Sequence, residues 1–196
     1  FYNMAQLKYK IATIGSHSAL QIFKGAHDEG FKTIAVCKKG SERPYKMFNV
    51  ADEIITIDSY KDFPKIENSL IKENAIVIPH GSFVTYMGYE KVEKLRVLYY
   101  GNKRILKWES DRYLERQWLK NSGLKVPLLF RSPKDIDRLV IVKFMGAEGG
   151  RGYFLAKDEK DFNKKIKPYK LKKYVIQEYI IGVPLFIHYF YSSLTN

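Results

Sequence analysis

Across 196 residues, 45% are hydrophobic and 28% charged, a balance that buries a core and excludes an intrinsically disordered chain. No apolar run is long enough to cross a bilayer, and no leader with a basic start and an apolar centre is visible. Cys37 is the single cysteine, so no internal disulfide forms and a reducing, cytoplasmic setting is expected. The excess of 34 basic over 21 acidic residues, net +13, favours anionic partners such as nucleotides, phosphorylated metabolites or nucleic acid. A lysine-rich solvated surface fits the same numbers, so charge alone assigns no function.

Residues 9–14 form a short β-branched apolar run that ends in Gly15, Ser16, His17 and Ser18. Residues 19–29 then read as a helix, with Leu20, Ile22, Phe23 and Ala26 at near-helical spacing and Gly30 just beyond. Residues 33–37 give a second strand, in which Cys37 reads as a small buried hydrophobe rather than a reactive thiol. Residues 53–57 give a third strand, 63–73 a helix and 75–78 a fourth strand closing at Pro79, His80, Gly81 and Ser82. Strands alternating with helices predict a parallel, doubly wound α/β sheet. Ligands bind such sheets beyond the carboxyl ends of the strands, where both polar loops fall.

A change of pattern divides the chain into 1–106 and 107–196. Ser110 is the expected N-cap of a helix reaching residue 121, with Asp111 in its first turn and Ser122 and Gly123 ending it. Strands over 139–144 and 152–156 flank the loop Met145, Gly146, Ala147, Glu148, Gly149, Gly150, Arg151. A helix over 158–166 and strands over 174–180 and 185–191 complete an α+β unit.

The strongest chemical signal is Lys143, at the end of the apolar run Val140, Ile141, Val142 and ahead of the glycine-rich loop. An ammonium among apolar residues needs an anion to meet. Gly146, Gly149, Gly150 and Gly152 let backbone N–H groups approach phosphate oxygens closely. A nucleoside triphosphate site and a loose hairpin turn beside a surface lysine both fit this spacing. It is neither a Walker A loop nor a dinucleotide fingerprint, because no Lys-Ser/Thr pair follows the glycines and they lie between strands. Of the histidines, His17 reads as a ligand-binding residue, and His80 as either that or a structural hydrogen-bonder. His27 is expected in solvent and His188 in the core. The aromatic stretch Phe186, Tyr189, Phe190, Tyr191 reads as core rather than a base-stacking surface. The lysines at 164, 165, 167, 170, 172 and 173 read as a solvated face.

The order of a helix carrying Asp111 and Arg112, a strand with Lys143, a glycine-rich flap and then Gln177-Glu178-Tyr179-Ile180-Ile181-Gly182 resembles the ATP-grasp superfamily. Within it, Ile11-Ala12-Thr13-Ile14-Gly15-Ser16-His17-Ser18, Pro79-His80-Gly81-Ser82-Phe83 and Gly101-Asn102-Lys103-Arg104-Ile105-Leu106-Lys107-Trp108-Glu109-Ser110 look like the archaeal PurP family. So do Gly149-Gly150-Arg151-Gly152-Tyr153-Phe154 and His188-Tyr189-Phe190-Tyr191-Ser192. The resemblance implies a Rossmann-like pre-ATP-grasp domain over 1–106 and the first part of an ATP-grasp domain over 107–196. It implies ATP- and formate-dependent formylation of 5-aminoimidazole-4-carboxamide ribotide through formyl phosphate, in a homo-oligomer. Arg112 and Lys143 would hold ATP phosphates under a flap from Gly146 to Gly152. The backbone of Gln177, Glu178, Tyr179 and Ile180 would read adenine, and His17 and Ser82 would bind the phosphorylated imidazole ribotide. Arg104 would neutralise a phosphate or carboxylate, an interdomain ion pair being the other reading. Pro184 stands where many ATP-grasp enzymes place a ribose-binding acid. The Mg2+ ligands are expected beyond residue 196, so none is assigned and this stretch alone is expected to be inactive. A related ligase with another acid or amine, and a basic nucleic-acid-binding module, are the rival readings.

Overall fold

In the computed structural model, which describes residues 8–144, 152–169, 173–187 and 189, packing divides the chain into Phe1–Trp118 and Leu119–Asn196. In the first unit the apolar runs become β1 (Lys10–Ile14), β2 (Lys32–Lys38), β3 (Glu53–Ile57), β4 (Ala75–Val77) and the short β5 (Leu98–Tyr99). Every neighbouring pair is parallel, in the order β3-β2-β1-β4-β5. The expected α/β architecture is therefore present, with β1 as the strand at which the winding reverses.

Burial on both faces explains why these strands read as continuous apolar runs instead of alternating ones. Ile34 and Val36 face one way, into a core with Ile14, Phe63, Leu70, Val77 and Phe83. Ala35 and Cys37 face the other, against Ala19, Phe23 and Tyr45. Each fully buried large side chain of this kind contributes about 1.5–3 kcal/mol. The Cys37 thiol is buried as expected, and burial, with Glu42 nearby, pushes it up to about 12.

The helices are α1 (Ala19–Asp28), α2 (Arg43–Met47), α3 (Glu67–Lys72), α4 (Ser82–Met87), α5 (Tyr89–Glu93), α6 (Ile105–Ser110) and α7 (Arg112–Asn121). Three expectations need correction here. The helix expected over 63–73 is a 3-10 turn, Tyr60–Ile66, followed by α3, because Pro64 withholds an N–H from the ladder. The N-cap before residue 112 is Asp111, not Ser110: Asp111 is extended, and its Oδ1 accepts from Tyr113 N at 2.8 Å and Leu114 N at 3.1 Å. Ser110 instead ends α6, donating to Leu106 O at 2.6 Å. His27, expected in solvent, is half-buried, with Nε2 2.9 Å from Asp52 Oδ2 and 3.2 Å from Thr33 Oγ1.

The second unit holds β6 (Leu129–Phe130), β7 (Val140–Phe144), β8 (Tyr153–Ala156), β9 (Tyr174–Glu178) and α8 (Glu159–Lys165). Its sheet is antiparallel, ordered β6-β9-β7-β8. Asp158 caps α8, its Oδ1 accepting from Asp161 N at 2.7 Å. Val140, Val142, Ala156 and Ile176 pack on Phe162 of α8. The strand expected over 185–191 is absent across its described positions, which have no ladder partner there, and the expected burial of its aromatics is overturned: Phe186 is 82% and Tyr189 74% exposed. His188, Phe190 and Tyr191 lie outside the described residues, as do Lys170 and Lys172.

Candidate functional site

β1 is flanked by β2 on one side and β4 on the other, so the crevice at which the strand order reverses opens beyond Ile14 and Val77. The two strand ends are stitched together there by Thr13 Oγ1 donating to Ile78 O at 2.7 Å and Ile78 N donating to Ala12 O at 2.8 Å. Gly15 then leaves the sheet through a tight passage, its N–H bonded to Val36 O at 2.7 Å. A Cβ at that position would lie 2.7 Å from Cys37 Sγ and 2.8 Å from Tyr45 Cε2, so only glycine fits.

His17 follows with φ of 41°, a left-handed conformation uncommon for a residue with a side chain. Its Nδ1 meets the hydroxyl of Ser82, which is buried at the start of α4, and lies 3.2 Å from Ser16 Oγ. The structure therefore brings His17 and Ser82 into direct contact. His80 stacks at 6.3 Å from His17 but is anchored in the loop. Its Nε2 donates to Ile14 O at 3.0 Å and its Nδ1 accepts from Ser82 N at 3.3 Å. Burial holds this imidazole below its ordinary range, so it is neutral and structural, one of the two roles left open for it.

Two tyrosines line the same loop and were not singled out from the sequence. Tyr86 OH is 3.1 Å from Ser16 Oγ, and Tyr60 OH donates to Gly15 O at 2.6 Å. Their rings stack at 4.8 Å. A helical reading of 82–87 would have found Tyr86, because it stands four residues after Ser82 and so shares its face. Arg104 is exposed immediately before α6, and its backbone N–H bonds Asn102 Oδ1 at 3.0 Å. Among the described residues it shows no hydrogen bond to either loop. Arg112 opens α7 and is partly buried.

In the second unit, burial along β7 alternates, with Val140, Val142 and Phe144 in the core and Ile141 and Lys143 on the opposite face. Lys143 pairs with Tyr153 and Val175, and Ile141 with Leu155 and Gln177. Directly paired residues share a face, so Lys143 and Gln177 stand a diagonal step apart on the side away from α8. Phe144 N donates to Gly152 O at 2.9 Å, closing the base of the glycine-rich hairpin. Gly146, Gly149 and Gly150 lie outside the described residues. The Glu178 carboxylate is committed to the protein, accepting from Leu128 N at 3.0 Å and Arg138 at 3.3 Å. Tyr179 N donates to Leu139 O at 3.0 Å, and Ile180 beyond it is exposed. Among the described residues, no cluster of three or more His, Cys, Asp or Glu side chains is placed to hold a metal ion. None of the described helices is long and apolar enough to cross a membrane.

A family model described as "Protein of unknown function (DUF1246)" matches residues 11–130. The 5-formaminoimidazole-4-carboxamide-1-(beta)-D-ribofuranosyl 5'-monophosphate synthetase of Pyrococcus abyssi is 53% identical over 204 residues, covering 98% of this chain and 58% of that protein. This chain thus spans little more than half the length of the curated relatives it matches. Among solved structures, an IMP biosynthesis protein PurP from Thermococcus kodakaraensis superposes with a TM-score of 0.67 at 29% identity, over 88% of this chain and 51% of that one. N5-carboxyaminoimidazole synthetase from Staphylococcus aureus, complexed with ADP, superposes with a TM-score of 0.72 at 22% identity, over 92% and 50%. The second likeness is one of fold, and the fold is that of the ATP-grasp proteins.

Proposed function

This chain belongs to the DUF1246 family and is a member of the PurP proteins, and from that premise we propose that it forms the ribotide-binding and first nucleotide-binding parts of an ATP-dependent ligase. The ligase formylates 5-aminoimidazole-4-carboxamide ribotide in IMP biosynthesis. A formate oxygen bonds to the γ-phosphorus of ATP and ADP leaves. The ribotide amine then attacks the formyl carbon, phosphate leaves, and the amine gives up a proton. Residues 1–106 act as the pre-ATP-grasp domain and 107–196 as the start of the ATP-grasp domain.

His17 and Ser82 hold the ribotide in the crevice of the first unit, and Arg104 serves phosphate or carboxylate charge. Arg112 and Lys143 hold ATP phosphates, the loop from Gly146 to Gly152 covers them, and the backbone of Gln177, Glu178, Tyr179 and Ile180 reads adenine. Positioning together with fixed positive charge supplies most of the catalysis in phosphoryl transfer. Use of Mg2+ with the ATP belongs to the same reading, although among the described residues no cluster of three or more His, Cys, Asp or Glu side chains is placed to hold it. Homo-oligomeric assembly and a cytoplasmic setting belong to the same reading.

The observation that carries it is the shared face of Lys143 and Gln177 at the base of the glycine-rich hairpin. That face offers a cation to the phosphates beside the strand that leads into the adenine-reading segment. ATP at a hundredfold excess over its Kd should stabilise this chain by roughly 2.7 kcal/mol, raising its Tm by several degrees. Lys143→Ala should lose that protection, measured against the variant's own Tm without ATP. Equal protection of the variant would refute the assignment.

A further inference from the structure

Behind His17 stand Ser16 and Tyr86, two hydroxyls to which the proposed reaction gives no role. Tyr86 OH lies 3.1 Å from Ser16 Oγ, and Ser16 Oγ lies 3.2 Å from His17 Nδ1. The buried Ser82 hydroxyl meets the same nitrogen. His17 Nδ1 is therefore turned into the loop. Nε2, on the far side of an exposed ring, has no hydrogen-bond partner among the described residues. The tyrosine ring that starts the chain is itself fixed, stacked on Tyr60 at 4.8 Å with 26° between planes. Tyr60 in turn holds Gly15 O at 2.6 Å. Loop backbone, both tyrosines and the imidazole are thus one assembly within the first unit, joined by hydrogen bonds and the tyrosine stack.

The direction of the chain follows from the acidity of its members. A phenol is a far stronger donor than an alkyl hydroxyl, so Tyr86 donates to Ser16 Oγ and leaves the Ser16 proton for Nδ1. An imidazole that accepts at Nδ1 carries its proton on Nε2. We propose that Tyr86 is a positioning residue: acting through Ser16, it holds His17 Nδ1 as an acceptor and so sets Nε2–H as the donor aimed at an oxygen of the bound anion. The loop thereby selects phosphate or carboxamide oxygens over ligand groups that themselves donate. The identity of the ligand rests on the ribotide reading given above; the tautomer does not.

Tyr86→Phe deletes the hydroxyl and keeps the ring against Tyr60, and Ser16→Ala cuts the same chain one link later. In 15N-labelled wild-type protein without ligand, long-range 1H–15N correlations should show His17 protonated at Nε2 and bare at Nδ1. Both variants should lose that single tautomer and bind 5-aminoimidazole-4-carboxamide ribotide about fivefold more weakly, the scale of one lost hydrogen bond. A His17 protonated at Nδ1 in the wild type, or an unchanged tautomer in the folded variants, overturns the relay. Equal ribotide affinity of wild type and both variants also overturns it while leaving the ribotide reading intact. Should the wild type show the Nε2–H form but bind no ribotide, the relay stands and the ribotide reading falls.

Discussion

At Gly15 a single hydrogen atom decides whether the crevice can form. Its missing side chain leaves room for Cys37 Sγ and the Tyr45 ring, either of which a methyl group would meet inside van der Waals distance. Both neighbours are core residues that cannot swing into solvent. Gly15→Ala should therefore cost about 1–3 kcal/mol through overpacking. Shrinking the opposing side chain in a Gly15→Ala/Cys37→Ala double variant should return part of that loss. Thermal denaturation of the two variants checks both statements, and simple additivity of the two substitutions would count against the clash. Cys37 is available for this experiment because its thiol is buried and its ionisation pushed up to about 12, which leaves it no chemistry to perform.

Among the elements, α3 shows how a charged residue becomes structural. Glu67, its first residue, is buried, and its carboxylate accepts from the backbone N–H of Arg96 and, at 3.0 Å, from that of Val97. Arg96 Nε adds a longer contact at 3.4 Å. Burial alone would push this carboxyl up, but the Val97 and Arg96 N–H groups and the guanidinium outweigh it and hold the group below its ordinary 4.5. Because the folded value is depressed, the stabilisation is complete above about pH 4.5 and is lost as pH falls through the folded value. Glu67→Ala should cost roughly 3 kcal/mol, since it strands two backbone donors next to β5. Glu67→Gln should cost less, and it should flatten the acid limb of a stability-versus-pH curve. An unaltered acid limb in Glu67→Gln would assign the pH dependence elsewhere.

Elements were legible where one local rule governed them. The strand 53–57 falls where β-branched residues put it, and the loops ending β1 and β4 fall where the sheet needs them. What escaped was set by context. A two-residue strand such as β5 has no periodicity to detect, and α4 and α5 are too short to show a helical face. Ser110 and Asp111 are both good caps; the sequence pointed to Ser110, and the end of α6 at Ser110 leaves the cap to Asp111. The contact of His17 with Ser82 follows from topology and Tyr86 shares a helical face with Ser82, but the place of Tyr60 behind them depends on side-chain packing that no spacing rule encodes.

On the scale of the whole molecule, an apolar stretch near the end of the described residues is left uncovered by the other described residues. Ile181, Val183, Leu185, Phe186 and Ile187 are each more than two-thirds exposed in a segment that joins no sheet. Exposed apolar surface of this extent binds hydrophobic dyes and promotes association. The protein should enhance anilinonaphthalene sulfonate fluorescence in its native state, and Ile181→Ser/Phe186→Ser should cut that signal at least in half without lowering Tm. A native state silent to the dye would mean that this stretch is covered in solution.

His17 and Ser82 touch although 65 positions separate them in the chain, because β1 and β4 are neighbours in the sheet. Neither half of the crevice exists until that pairing has formed, so a molecule that fits it recognises a completed sheet and ignores the open chain. Its ligand is thus also a reporter of folding: a trace of small molecule, bound or unbound, distinguishes a finished first unit from one that is merely compact.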